Sequence, residues 1–181
     1  MPTTATPRTP DDADRTPVDP GAAAPWDPAR VGSVLVNRRR GWSRRARLPE
    51  RVRGADPRRE VVGWCDARSP EHGWLLVPSG GGVVGLALRA AGRRGAESEA
   101  QCELCGTTRP AGHVTVFAAA RPAGDGEVAV RACRDLACAE HVRLLRATPT
   151  LRPRAGTSIA ERERALHERC AALVGAVLAG A

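Results

Sequence analysis

Four cysteines in two close pairs constrain this chain more than any other feature. Cys102-Glu103-Leu104-Cys105-Gly106 is a C-x2-C-Gly knuckle, and Cys133-Arg134-Asp135-Leu136-Ala137-Cys138 is a C-x4-C pair. A C-x2-C turn can aim backbone N–H groups at both sulfurs and favour their anionic form, and Gly106 permits the tight turn that follows. Five residues at about 100° each place Cys133 and Cys138 poorly for one face of a continuous helix. Cys133 is therefore expected just before a helix and Cys138 in its first turns. Between the pairs, residues 113–118 and 127–132 alternate in the manner of strands, with 122–126 as the turn.

Knuckle, hairpin, then a helix that brings the last two ligands is the plan of a treble-clef zinc finger. Four thiolates leave no position for water, so an ion held by Cys102, Cys105, Cys133 and Cys138 is expected to be structural rather than catalytic. Competing readings are a disulfide pair, inert thiols, or His141 in place of one cysteine as ligand. The paired spacing and an expected reducing compartment disfavour the first two. The helix dipole, Arg131 and Arg134 are expected to offset the site's net negative charge. Cys65 reads as a bystander and Cys170 as a packed thiol.

Composition adds a reason for the metal. Of 181 residues, 42% are hydrophobic, but there are only four Trp, one Phe and no Tyr, so large core anchors are scarce. A core of this kind gains from a metal cross-link. All 28 basic residues are arginine, a skew that reads partly as codon bias. The formal charge of +8 falls to +6 once four thiolates hold one Zn²⁺, and it still favours acidic partners, RNA or protein. His72, His113, His141 and His167 are scattered with no nucleophile motif beside them, which argues against an enzyme. The first residues carry no apolar h-region, and 171–181 is too short to cross a bilayer. The expectation is a cytoplasmic protein with no membrane contact and no small-molecule substrate.

Along the chain, residues 1–25 form a Thr/Pro/Asp/Ala tail expected to be disordered. Asp27-Pro28 reads as an N-cap and first turn, with Val31, Val34 and Leu35 on one helical face and Gly41 as a stop. Residues 38–53 hold eight arginines, a solvated basic face or a partner contact. Three short β-type runs follow at 61–64, 74–77 and 83–88, with Ser79-Gly80-Gly81-Gly82 as a hairpin turn and 92–100 as a linker. Ser158-x-x-Glu161 is a capping box opening an amphipathic helix through Leu166, Cys170, Leu173, Val174, Val177 and Leu178. The predicted class is α+β: one domain over 26–181, with a small antiparallel sheet, a short N-terminal helix, a treble clef at 100–146 and a C-terminal helix at 158–179.

The quoted stretches, above all 102–105, 114–124 and 133–138 followed by Val142-Arg143, with Val36-Asn37 and 82–88 in support, resemble the elongation-factor-G-binding family related to the fusidic-acid-resistance protein FusB (FBP domain). That resemblance implies a C-terminal treble-clef zinc finger with the four cysteines as ligands to one zinc ion. It also implies docking on translation elongation factor G, with release of that factor from stalled ribosomes in the resistance proteins. Leu104, His141 and Arg143 are the contact residues it suggests. The alternative is a basic zinc-finger protein that binds RNA or the ribosome directly, for which the scarcity of aromatic stacking residues is unfavourable.

Overall fold

The computed structural model describes residues 26–38, 48–92, 98–122, 126–146, 152–153 and 155–179. The readings made above for the tail 1–25 and for Gly41 lie outside the described residues. So do those for parts of the arginine run (39–47), the linker (93–97) and the finger turn (123–125).

Eleven elements position the site: α1 (Pro28–Val34), α2 (Glu50–Arg53), β1 (Val62–Cys65), β2 (His72–Ser79), β3 (Gly82–Ala90), β4 (Glu99–Gln101), β5 (Thr108–Pro110), β6 (Val114–Ala120), β7 (Glu127–Cys133), α3 (Cys138–Val142) and α4 (Ile159–Leu178). The antiparallel meander and the finger hairpin are one five-stranded sheet, ordered β1-β2-β3-β6-β7, rather than separate units. The joint is short: β3 meets β6 only at Arg89↔Ala118 and Ala90↔Phe117. A second, two-stranded sheet, β4-β5, brackets the knuckle.

Alternation along the strands sorts residues into two cores on opposite faces. Trp64, Trp74 and Leu76 pack with Trp26, Val31, Leu48 and Val52 under the two N-terminal helices. Trp64 and Trp74 stack at 5.5 Å between ring centroids and 17° between planes. On the other face, Leu75, Val77, Leu86, Leu88 and Phe117 pack against the four finger cysteines, Leu136 and the inner side of α4. The sheet is thus buried on both faces, and the finger's cysteines are part of one of its cores.

Local signals in the sequence explain most elements. Asp27 caps α1 through Arg30 N–H at 2.7 Å, with Pro28 in the first turn. Val36 N–H donates to Gly85 O at 3.0 Å, which docks the end of this segment on β3. Ser79 and Gly82 close the β2–β3 hairpin around Gly80 and Gly81, whose φ of +55° and +80° suit the turn that twisted strands favour. Ser158 and Glu161 form the capping box of α4, and Leu166, Cys170, Leu173, Val174 and Val177 are its buried residues. Its far end is tied down by Arg121, whose guanidinium donates to the carbonyls of Ala176 and Ala179 at 2.8 and 2.6 Å.

Candidate metal centre

The knuckle is built by the turn between β4 and β5. Gly106, at φ +71°, donates its N–H to Cys102 O at 2.9 Å, and Cys102 N–H reaches Thr107 O at 3.0 Å. Cys105 N–H then points at Cys102 Sγ at 3.3 Å, the N–H to sulfur bond that the C-x2-C spacing predicts. The second half-site begins where β7 ends. Cys133 is its last residue, Leu136 turns the chain with φ +52° while donating to Cys133 O at 2.9 Å, and Cys138 opens α3. The five-residue gap is therefore crossed by a tight turn, as the helical phase requires.

The four sulfurs converge. All four residues are at most 5% exposed, their ligand atoms lie within 4.8 Å of one another, and none is in a disulfide. Cys102 Sγ is 3.8 Å from Cys138 Sγ, and Cys105 Sγ is 3.6 Å from Cys133 Sγ. A tetrahedron with Zn–S bonds of about 2.3 Å has S···S edges of about 3.8 Å, so the donor set fits one zinc ion in number, softness and spacing. Shared hydrogen bonds spread the thiol acidities. Bonds from Cys102, then Cys133 and Cys138, hold Cys105 far below an ordinary thiol, whereas Cys133 and Cys138 are pushed up, first by Cys102 and then by Cys105. Such a cluster ionises fully only with a cation at its centre.

Around the sulfurs lies a polar shell that the sequence reading missed. The Thr107 hydroxyl, fully buried, sits 2.7 Å from Cys105 Sγ, where it can donate to a thiolate. Arg109, 4% exposed, places Nη1 3.3 Å from His141 Nε2 and 3.7 Å from Asp135 Oδ1. His141 Nε2 is in turn 3.4 Å from Asp135 Oδ2. Burial alone raises the Asp135 pKa, but His141, the Ala137 N–H and Arg109 outweigh it and hold it down to about 2. Burial lowers that of His141, yet Asp135 and then Cys105 push it up to about 9. The buried cations beside the cluster are thus Arg109 and His141. Arg131, expected in that role, instead pairs with Glu103 on the surface at 3.5 Å. Thr107 and Arg109 are two residues apart just after the knuckle, and this period-2 pairing was the available signal.

A second group, Cys133, Asp135 and His141, also lies within 4.8 Å. It suits a cation poorly, because Asp135 and His141 already neutralise one another and the Arg109 guanidinium stands against the ring. His141 is therefore placed beside the ligand set rather than in it.

The suggested contact residues need correction by position. Leu104 is 2% exposed and His141 1%, both turned inward, Leu104 into the core behind the cysteines. Arg143 is partly accessible, but its guanidinium bridges Glu60 and Glu163. Cys65 is closer to the finger than its sequence position suggests: its Sγ donates to Arg134 O at 3.1 Å, without joining the cluster. Cys170 is buried on α4, as expected for a packed thiol.

Residues 30–177 match a family model described as the FBP C-terminal treble-clef zinc-finger. No curated protein and no solved structure matches the chain. No helix among the described residues is long and apolar enough to cross a membrane.

Proposed function

Since the chain belongs to the FBP C-terminal treble-clef zinc-finger family, and its four converging thiols fit one structural zinc ion, we propose that it is a docking module for translation elongation factor G. The family match over residues 30–177 carries this reading, and the closure of the site supports a binding rather than a catalytic role. Cys102, Cys105, Cys133 and Cys138 together complete a tetrahedral donor set, and all are buried, so no coordination position is left for a substrate. Zinc bound there supplies a cross-link. The protein's own residues do the rest: they hold the knuckle, the end of β7 and the start of α3 in one rigid arrangement.

That arrangement supports a surface. Leu104 and His141 act from below it, by filling and charging the space behind the finger, while Arg143 fixes α3 to α4 through Glu163 and to the loop before β1 through Glu60. At the end of the finger, Leu144 and Leu145 are 42% and 70% exposed, an adjacent pair of exposed leucines in a chain short of large apolar residues. Leu145 lines a cleft of roughly 290 Å³ with Leu136, Ala139 and Val61. We assign the partner-facing side to this end of the finger.

The test is capture of purified elongation factor G from the same host by the zinc-loaded full-length chain, before and after nuclease treatment. Stoichiometric capture that survives nuclease, and is lost when zinc is removed, is the expected result. Association that nuclease abolishes would replace this reading with a basic RNA-binding one.

A further inference from the structure

A second cleft, about 350 Å³ in volume, lies beside the second half-site and is lined by Arg51, Cys65, Asp66, Arg109, His113 and Arg134. Its charges are unevenly used. Arg51 is paired with Glu140 at 2.9 Å and also donates to Gly63 O. Asp66 accepts the Arg68 N–H at 2.9 Å, and Asp135, on the cleft's rim, is held by Arg109, His141 and Arg146. Among the described residues, the exposed Arg134 guanidinium and the exposed His113 ring have no partner, and Arg109 keeps a buried Nε–H without an acceptor. A buried donor left unmade is costly.

The unpaired groups are also fixed in place. Arg134 N–H donates to His113 O at 2.9 Å, and Arg134 O accepts from Cys65 Sγ. The preceding residue, Cys133, belongs to the metal centre, so the backbone that carries Arg134 is pinned from three sides. We propose that this cleft receives the carboxylate of an aspartate or glutamate side chain from a protein partner, with Arg134 as its anchor and His113 as a second donor. This deepens the docking reading above and rests on it. The charge count favours a carboxylate over a phosphomonoester: one free guanidinium suits a monoanion, and a dianion would be repelled about twice as strongly by Asp66 and Asp135, which also line the cleft; an RNA phosphodiester is a monoanion too and is separated by the test.

Two probes and three variants test it in the zinc-loaded full-length chain. A short oligoglutamate peptide should shift the amide signals of His113 and Arg134 and bind about tenfold more weakly to Arg134→Glu. Arg134→Lys should retain part of the binding, His113→Ala should lose less than Arg134→Glu, and zinc content should be unchanged in all three. A short single-stranded RNA should bind more weakly than the peptide and without regard to Arg134. RNA binding that depends on Arg134 while the peptide is ignored would overturn the carboxylate assignment in favour of phosphate. Peptide binding equal in wild type and Arg134→Glu would overturn the cleft altogether. With elongation factor G as bait, equal capture by both proteins keeps the docking reading and sinks the cleft. No capture by the wild type, with peptide binding intact, sinks that partner and keeps the cleft.

Discussion

A Cβ on Gly63 would lie 2.5 Å from the carbonyl oxygen of Leu136. Strand β1 and the turn that sets Cys138 therefore touch backbone to backbone, and only glycine permits the approach. Gly63→Ala is expected to destabilise the protein by about 2 to 3 kcal/mol and to loosen zinc, because the obstruction is main chain that cannot rotate away. At Gly73 a Cβ would meet Leu136 Cδ1 at 2.5 Å, the tip of a side chain. Gly73→Ala should cost less, about 1 kcal/mol. Urea denaturation of the two variants, followed by Trp fluorescence, checks the order; a larger loss at Gly73 would show that the Leu136 backbone yields more readily than its side chain.

Removal of a single sulfur separates ligands from bystanders. Cys133→Ala is expected to lose the zinc ion and to unfold the finger, with the adjoining face of the sheet exposed to solvent. Cys170→Ala keeps the metal and costs only a small cavity, about 1 kcal/mol. His141→Gln also keeps the metal, since the ring stands beside the four sulfurs. Zinc measured per chain decides all three, and full stoichiometry in Cys133→Ala would refute the ligand set.

Burial, then the nearby Asp135 charge, pushes the Cys65 thiol from an ordinary value near 9 up to about 12. Only the thiolate is alkylated, so near neutral pH its reactive fraction is about a thousandfold below that of an unperturbed thiol. Iodoacetamide labelling of Cys65 in the native protein should be very slow and should rise about tenfold for each pH unit until the thiol ionises. Fast labelling at pH 8 that is unaffected by denaturant would show that Cys65 is open to solvent.

The parts of this fold that local chemistry decides were legible beforehand. The N-cap at Asp27, the Gly80-Gly81 hairpin, the Ser158–Glu161 capping box and both cysteine pairs each rest on a few adjacent residues, and each stands where the pattern put it. What escaped depends on partners distant in sequence. The finger hairpin joins the meander through two residue pairs at Arg89 and Ala90, which no periodicity announces. Leu104 and His141 look like surface residues in the string, yet the knuckle and α3 turn them inward, where a short chain needs every available filler. Arg109 belongs to a class almost never buried alone, and only the proximity of Asp135, 26 positions onward, makes its burial intelligible.

Arg143 ties two elements by charge, and its removal leaves Glu60 and Glu163 without their shared cation. The Glu163 bond is also the first cause that raises the guanidinium's pKa. These groups are partly exposed, so Arg143→Ala should cost about 1 kcal/mol, less at high salt, with the zinc retained. Thermal melts at two ionic strengths are the measurement; a loss independent of salt would point to packing by the side chain's stem instead.

Asn37 is 5% exposed, and its side chain clamps the backbone of Ala87: Nδ2 donates to Ala87 O at 2.9 Å, and Oδ1 accepts from Ala87 N–H at 2.7 Å. β3 needs this clamp because its pairing with β6 begins only at Arg89, so the edge of Ala87 that faces away from its β2 partner Trp74 has no strand beside it. Asn37→Ala strands one buried donor and one buried acceptor and should destabilise the protein by about 2 to 3 kcal/mol. Asn37→Asp keeps the acceptor for Ala87 N–H but sets a carboxylate oxygen against Ala87 O, so it should be at least as harmful at neutral pH and recover partly in acid as the new carboxyl protonates. Urea titrations near pH 7 and pH 4 distinguish the two variants. A near-neutral effect of Asn37→Ala would mean that water satisfies Ala87 and that the clamp contributes little.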